Sequence, residues 1–123
     1  VITSEDLLNS VDFEDSIAVG GYPIDIHNPA GNNTNSIHLK PGQSYKIPYR
    51  SLLPEEISNL IVSGRCISVT HEAGAAIRVT PIAMAIGQAA GTAAAMSIIE
   101  DTEPSKLCVD ELRKRLTEQG AVV

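Results

Sequence analysis

The pattern of apolar and polar positions divides the chain into a sheet-like half and a helical half. Thr3 and Asp6 stand at capping-box spacing, with Asp in place of the usual Glu, ahead of Leu7 and Leu8, and predict a short helix. From Ser16 the pattern changes, and Ile17, Val19, Ile24 and Ile26 read as strand residues on either side of Gly20-Gly21. A Pro/Gly/Asn-rich loop runs from Asn28 to Asn35. Ile37 to Lys40 and Gln43 to Ile47 then read as a hairpin about Pro41-Gly42, which suits the two central positions of a type II turn. Residues 16–48 are thus expected to form a small antiparallel sheet.

Beyond Tyr49 the pattern is helical. Ser51 to Leu53 reads as a turn, and Pro54-Glu55-Glu56 suits the opening of a short helical turn. Leu60-Ile61-Val62 is a continuous apolar run ending at Ser63-Gly64, the pattern of a short strand buried on both faces. Thr80-Pro81 offers a capping hydroxyl followed by Pro at the first helical position, and the helix is expected to run to about Ile99. Asp101 to Pro104 breaks it. A final amphipathic helix begins near Ser105 to Val109, with Val109, Leu112 and Leu116 on one face and Gly120 as its stop. The fold class is therefore α+β: a small antiparallel sheet, one buried strand, a long Ala/Gly-rich helix and a C-terminal amphipathic helix. One buried strand cannot make a parallel sheet alone, so its neighbours are expected in an N-terminal part outside these residues. The division expected is 1–50 for the sheet segment and 51–123 for the segment that joins the missing part. A first residue that is Val1 and not Met agrees with this reading.

Composition narrows the function. The 123 residues suffice for one small core, built mostly of Ala, Ile, Val and Leu, with Phe13, Tyr22, Tyr45 and Tyr49 as its rings and no Trp. A net charge of -6 argues against nucleic acid and against an anionic membrane surface, both of which reward Lys and Arg. Val79 to Ile99 carries no charge and has the length of a membrane span, but Pro81, Gln88 and two glycines interrupt it and alanine dominates it. It reads as a buried helix of a soluble protein. Cys66 and Cys108 lie in no CxxC or Cys/His pattern, so neither a metal site nor dithiol chemistry is expected. No signal peptide is evident and the sequon Asn32-Asn33-Thr34 is short, so a cytoplasmic location is expected.

The chemistry concentrates between Asn59 and Ala95. Gly64, at the carboxyl end of the expected strand, lets a bulky ligand approach the backbone. The N–H groups of Val79, Thr80, Ile82 and Ala83 are expected to be unpaired at the helix start, where with the helix dipole they favour negative charge. A phosphate suits such a site, as does the edge of a flavin that becomes anionic on reduction. Gly87 and Gly91 share one helix face, and since Gly costs about 1 kcal/mol against Ala there, close packing on a neighbour is expected.

The run NLIVSGRCISVTHEAGAAIRVTPIAMAIGQAAGTAAA resembles the C-terminal flavin-contacting motif of FAD-dependent oxidoreductases of glutathione-reductase-type fold. The resemblance is strongest to the bacterial group called simply FAD-dependent oxidoreductases, which is distantly similar to the fumarate reductase flavoproteins. YPIDIHNP and YKIPYRSLLP also resemble that group, so the likeness covers about residues 16–123. It implies FAD as cofactor and an oxidoreductase activity in a longer parent protein. No GxGxxG occurs in the chain, so the half that binds the ADP moiety is expected in a missing N-terminal partner segment. The isolated chain is then expected to be inactive and to lack FAD.

The likeness also implies roles. Gly64 and Arg65 match the position where many such flavoproteins place a Gly-acid pair on the ribitol or phosphates; Arg65 suits a phosphate instead. Ile77, Val79, Thr80, Pro81, Ala83 and Met84 match the stretch facing the isoalloxazine. His71, beside Glu72, falls near the cofactor, for proton transfer or substrate orientation, or else as a loop histidine bonded to backbone. Arg78 suits a substrate carboxylate or a flavin oxygen, against a plain surface ion pair. His27, with Asp25, approaches the substrate side, or else serves the sheet edge. Cys66 reads as a buried structural cysteine before a flavin attachment point. His38 reads as a solvated strand residue, and Glu111, Arg113, Lys114, Arg115 and Glu118 read as a solvated helix face. The function expected is the flavin-ring end of an FAD site with part of a chamber for a small-molecule substrate. The other reading is a standalone α+β module that binds a partner or assembles with itself without catalysis. Apolar surface left by the missing half is expected to make the isolated chain self-associate.

Overall fold

The computed structural model describes residues 1–27, 31 and 34–123, with the side chains of His27, Thr34 and Asn35 outside that set. Asn32 and Asn33 of the sequon fall outside the described residues. The first helix, α1 (Ser4–Leu8), forms as its capping box predicts: the Thr3 hydroxyl accepts from the Asp6 N–H, and the Asp6 carboxylate accepts from the Thr3 N–H at 2.8 Å. Two antiparallel pairs follow. Strand β1 (Ser16–Gly20) pairs with β4 (Tyr45–Pro48), and β2 (Ile24–His27) pairs with β3 (Thr34–Ile37). They make one long interrupted hairpin, with β1 and β2 on one arm and β3 and β4 on the other.

The hairpin expected between 37–40 and 43–47 does not form. The Pro41-Gly42 turn itself does, with Gly42 at φ +79° and the Gln43 N–H on the Lys40 carbonyl at 2.9 Å. The turn is a local excursion on the second arm; the strands flanking it find their partners in β1 and β2, which bury Ile17, Ile24, Tyr45 and Ile47. Turn chemistry fixed the bend but not the pairing.

Beyond β4 a 3₁₀ turn (Tyr49–Leu52) is tied back by Asp15, whose carboxylate accepts both the Arg50 N–H at 3.0 Å and the Arg50 guanidinium. Leu60 to Val62 is not a strand. The Val62 N–H bonds the Leu52 carbonyl at 2.8 Å, but no ladder forms among the described residues and Leu60 is 41% exposed. A run patterned for burial on both faces finds no neighbouring strand here.

A second helix, α2 (His71–Ile77), stands where a connection was expected; Thr70 caps it by accepting the Ala73 N–H. Arg78 and Val79 join it to α3 (Thr80–Ile99). Val79, not Thr80, is the N-cap, no side chain caps the helix, and Pro81 lies in its first turn. Ile82, Ile86, Ala89, Ala93 and Met96 form the buried stripe of α3 at helical spacing. Its other face is open: Met84 and Ile98 are exposed, and a Cβ built on Gly91 would meet nothing within 4 Å. A Cβ on Gly87 would make only an ordinary contact, 3.8 Å from Ser63 Oγ, so the tight packing expected at Gly87 and Gly91 is absent among the described residues. By length and composition alone α3 also suffices to cross a membrane, with a third of its most apolar window buried here. The last helix, α4 (Val109–Glu118), packs Leu112 and Leu116 against α3 and ends before Gly120 at φ +84°. The fold is α+β as expected. Residues before and after position 50 share one core.

Candidate active site

Helix α2 carries the site. His71, Gly74, Ala75 and Arg78 recur at i, i+3, i+4 and i+7, which places them on one face. Ala73, Ala76 and Ile77 are buried against the core, and β2 packs on the helix. The stripe forms one wall of a cleft of about 330 Å³. Asp25 and Ile26 from β2 and Gly64 and Arg65 from a 3₁₀ turn (Gly64–Cys66) complete it, with Ile77. Two stretches far apart in sequence, 25–26 and 64–78, thus meet at one cleft.

Each wall has a local cause. Gly64 lies at φ +63°, a left-handed conformation that side chains rarely take, and a Cβ there would meet nothing within 4 Å. The backbone is therefore open to a ligand at that point. Arg78 is the C-cap of α2, where a cation suits the helix dipole. Its Nε donates to the Ala75 carbonyl at 3.3 Å and its Nη2 reaches the Asp25 carbonyl at 3.5 Å, joining α2 to β2. The Asp25 carboxylate accepts the Ser36 hydroxyl across the β2–β3 ladder at 3.2 Å. The lining carries two guanidinium groups and one carboxylate, in a chain of net charge -6.

Of the residues singled out in the sequence, Gly64, Arg65, His71, Ile77 and Arg78 line this cleft. Val79, Thr80, Pro81, Ala83 and Met84 follow directly in the chain but are not among the lining residues, and Met84 is 69% exposed. The Ala83 N–H is paired, to the Val79 carbonyl at 2.9 Å, so the open donors of the first α3 turn fall to Thr80 and Ile82, Pro81 having none. His27 ends β2 beside Asp25 and Ile26, but its side chain lies outside the described residues. Cys66, expected buried, is exposed and free because the 3₁₀ turn that presents Arg65 lies at the surface; Cys108, at the start of α4, is exposed and free as well. Gly74 and Ala75 were missed as site residues. The i, i+3, i+4, i+7 spacing from His71 to Arg78 was the available signal. Two larger clefts, about 680 Å³ each, lie by Arg50 and Cys66 and by Ser97 and Glu103. Neither gathers paired guanidinium groups with an imidazole.

The model of the family described as FAD dependent oxidoreductase matches residues 1–116. The chain belongs to that family. No curated protein and no solved structure matches it. FAD fits the residues present: the open left-handed Gly64 beside the Arg65 guanidinium suits its phosphate or ribityl chain, and the uncapped start of α3 adds backbone donors close by.

Proposed function

We infer that the chain is the C-terminal part of a longer FAD-dependent oxidoreductase and supplies the flavin-ring end of the cofactor site with part of the substrate chamber. The observation that carries this is the meeting of Gly64, Arg65, His71, Ile77 and Arg78 at one cleft, inside a chain of this family. Bound FAD supplies hydride or electron transfer. The chain's own residues do the rest. Arg65 holds an anionic part of the cofactor. The start of α3 offers N–H donors to developing negative charge. Arg78 orients the substrate, and His71 holds or delivers a proton at a ring nitrogen.

Three features support a missing partner segment. The sequence contains no GxGxxG for the other end of a dinucleotide. Leu60 to Val62, patterned as a buried strand, pairs with no strand among the described residues. Met84, Ile98 and Ile99 stand exposed on α3. The same exposed face favours self-association of the chain when it is alone.

The test is to express the whole reading frame that contains these residues and read its visible flavin absorption. The purified protein should carry bound flavin, and Arg65→Ala should lower its flavin content. A whole protein that neither carries nor takes up flavin would end this reading. Stoichiometric flavin on the 123-residue chain alone would contradict the claim that another segment completes the site.

A further inference from the structure

The C-terminal half of α3 lines a second cleft, of opposite charge to the first. Ala90, Ala94, Ser97 and Ile98 recur at i, i+4, i+7 and i+8 and so share one helix face, with Asp101 just beyond the helix end. With Ile61 and residues 102–104 this stripe lines a cleft of about 680 Å³, and none of its lining residues belongs to the α2 cleft. The lining holds two carboxylates, Asp101 and Glu103, and no cationic side chain. We propose that this cleft binds a primary ammonium on an apolar stem, with the ammonium at the C-terminal end of α3 and the stem along Ile61, Ala90, Ala94 and Ile98.

Ser97 is the main support. It is 8% exposed, it lines the cleft, and its hydroxyl has no hydrogen-bond partner among the described residues. A helical serine has the carbonyl one turn back as its ordinary partner, and Ser97 does not use it. A buried hydroxyl left unpaired is costly, and a ligand N–H removes that cost. Charge points the same way. The last turn of α3 carries no basic residue, so no side chain of its own offsets the negative end of the helix dipole, and Asp101 adds a carboxylate there. Glu103 is already paired, with Lys106 at 2.9 Å, whereas no cation pairs with Asp101 among the described residues. The apolar wall then selects the kind of cation. A hydrated inorganic ion gains nothing from Ile61, Ala90, Ala94 and Ile98, whereas an alkyl stem buries itself on them.

The test titrates the isotope-labelled chain with hexylammonium, with the backbone amides of 59–61, 90–98 and 101–103 as reporters. Hexylammonium should move these signals, whereas hexanol, which lacks the charge, and the ammonium ion, which lacks the stem, should bind more weakly. Asp101→Asn should weaken hexylammonium binding by about twofold to fivefold, the range of an exposed ion pair. Asp101 lies at φ +50°, a conformation that Asn also tolerates, so this variant keeps the fold. Ser97→Ala should weaken binding too, while the urea unfolding midpoint stays or rises, because an unpaired buried hydroxyl is removed. A merely structural serine would lower the midpoint and leave binding alone. Glu118→Gln, exposed on α4 and outside the cleft lining, should leave binding unchanged, which separates a site from general attraction to a chain of net charge -6. The ammonium belongs to a free alkylamine or to a lysine side chain. Nα-acetyl-lysine N-methylamide binding more tightly than hexylammonium assigns the cleft to lysine, and weaker binding assigns it to a free amine. An equal response to hexanol, undiminished binding by both Asp101→Asn and Ser97→Ala, or an equal loss in Glu118→Gln would overturn the proposal. So would loss of the hexylammonium response in the whole protein, where other parts would then cover the cleft. None of these readouts involves flavin, so their failure is distinct from failure of the family function.

Discussion

Gly20 lies flat against the ring of Tyr45: a Cβ there would come within 2.4 Å of the ring's Cε2 and 2.9 Å of Ile82 Cδ1. Three elements, β1, β4 and α3, close on that point. Tyr45 is 1% exposed, and its hydroxyl lies 3.3 Å from the carbonyls of both Tyr22 and Ala76, so the ring cannot swing aside. Gly20→Ala should therefore cost about 1–3 kcal/mol, the usual penalty for overpacking. Gly21→Ala, whose Cβ would come no nearer than 4.0 Å to the Gln43 carbonyl, should stay within about 0.5 kcal/mol. Urea unfolding midpoints of the two variants measure the difference.

Burial pushes the Tyr45 and Tyr49 phenols up to about 12 from an ordinary value of 10.0. Tyr49 donates to the Pro104 carbonyl at 3.0 Å. Between these values the unfolded chain has lost protons that the folded chain keeps, so stability falls as pH rises. The contribution is fully present below pH 10 and is lost as pH climbs through about 12. A double Tyr45→Phe, Tyr49→Phe variant should be less stable at neutral pH, through lost hydrogen bonds of about 1 kcal/mol each. It should also show a shallower alkaline decline. Chemical unfolding at stepped pH, alongside tyrosinate absorption, checks both.

The two faces of α3 should respond in opposite ways. Leu112 on α4 is fully buried in the contact between the last two helices, and Leu112→Ala should cost about 2–5 kcal/mol. Ile98, 81% exposed on the open face in the last turn of α3, should tolerate Lys, whose charge suits that helix end, within about 0.5 kcal/mol. The same change should reduce self-association, which sedimentation velocity over a concentration series reads directly.

Legibility in the sequence followed the range of the determinant. The α1 capping box, the body of α3 and the Leu112/Leu116 face of α4 are local patterns, and all three form as expected. The hairpin pairing was misread because Pro41-Gly42 specifies a turn and says nothing of which strands meet. Helix α2 was missed because it spans seven residues with Gly74 inside, too short for periodicity to stand out. Leu60 to Val62 carries the composition of a buried strand but meets no partner strand here. The cleft was half legible: Gly64, Arg65, His71 and Arg78 emerged from one motif, whereas the arrival of Asp25 and Ile26 is tertiary, and only the family resemblance of YPIDIHNP, not the local pattern, pointed to that stretch.

The central claim is that FAD meets the chain at the α2 cleft, and amide chemical-shift mapping of the labelled chain in excess FAD tests it most directly. The account predicts weak binding with shifts confined to residues 25–26, 64–65 and 71–78 and the first turn of α3. Shifts centred instead on the Arg50 or Ser97 clefts would contradict it.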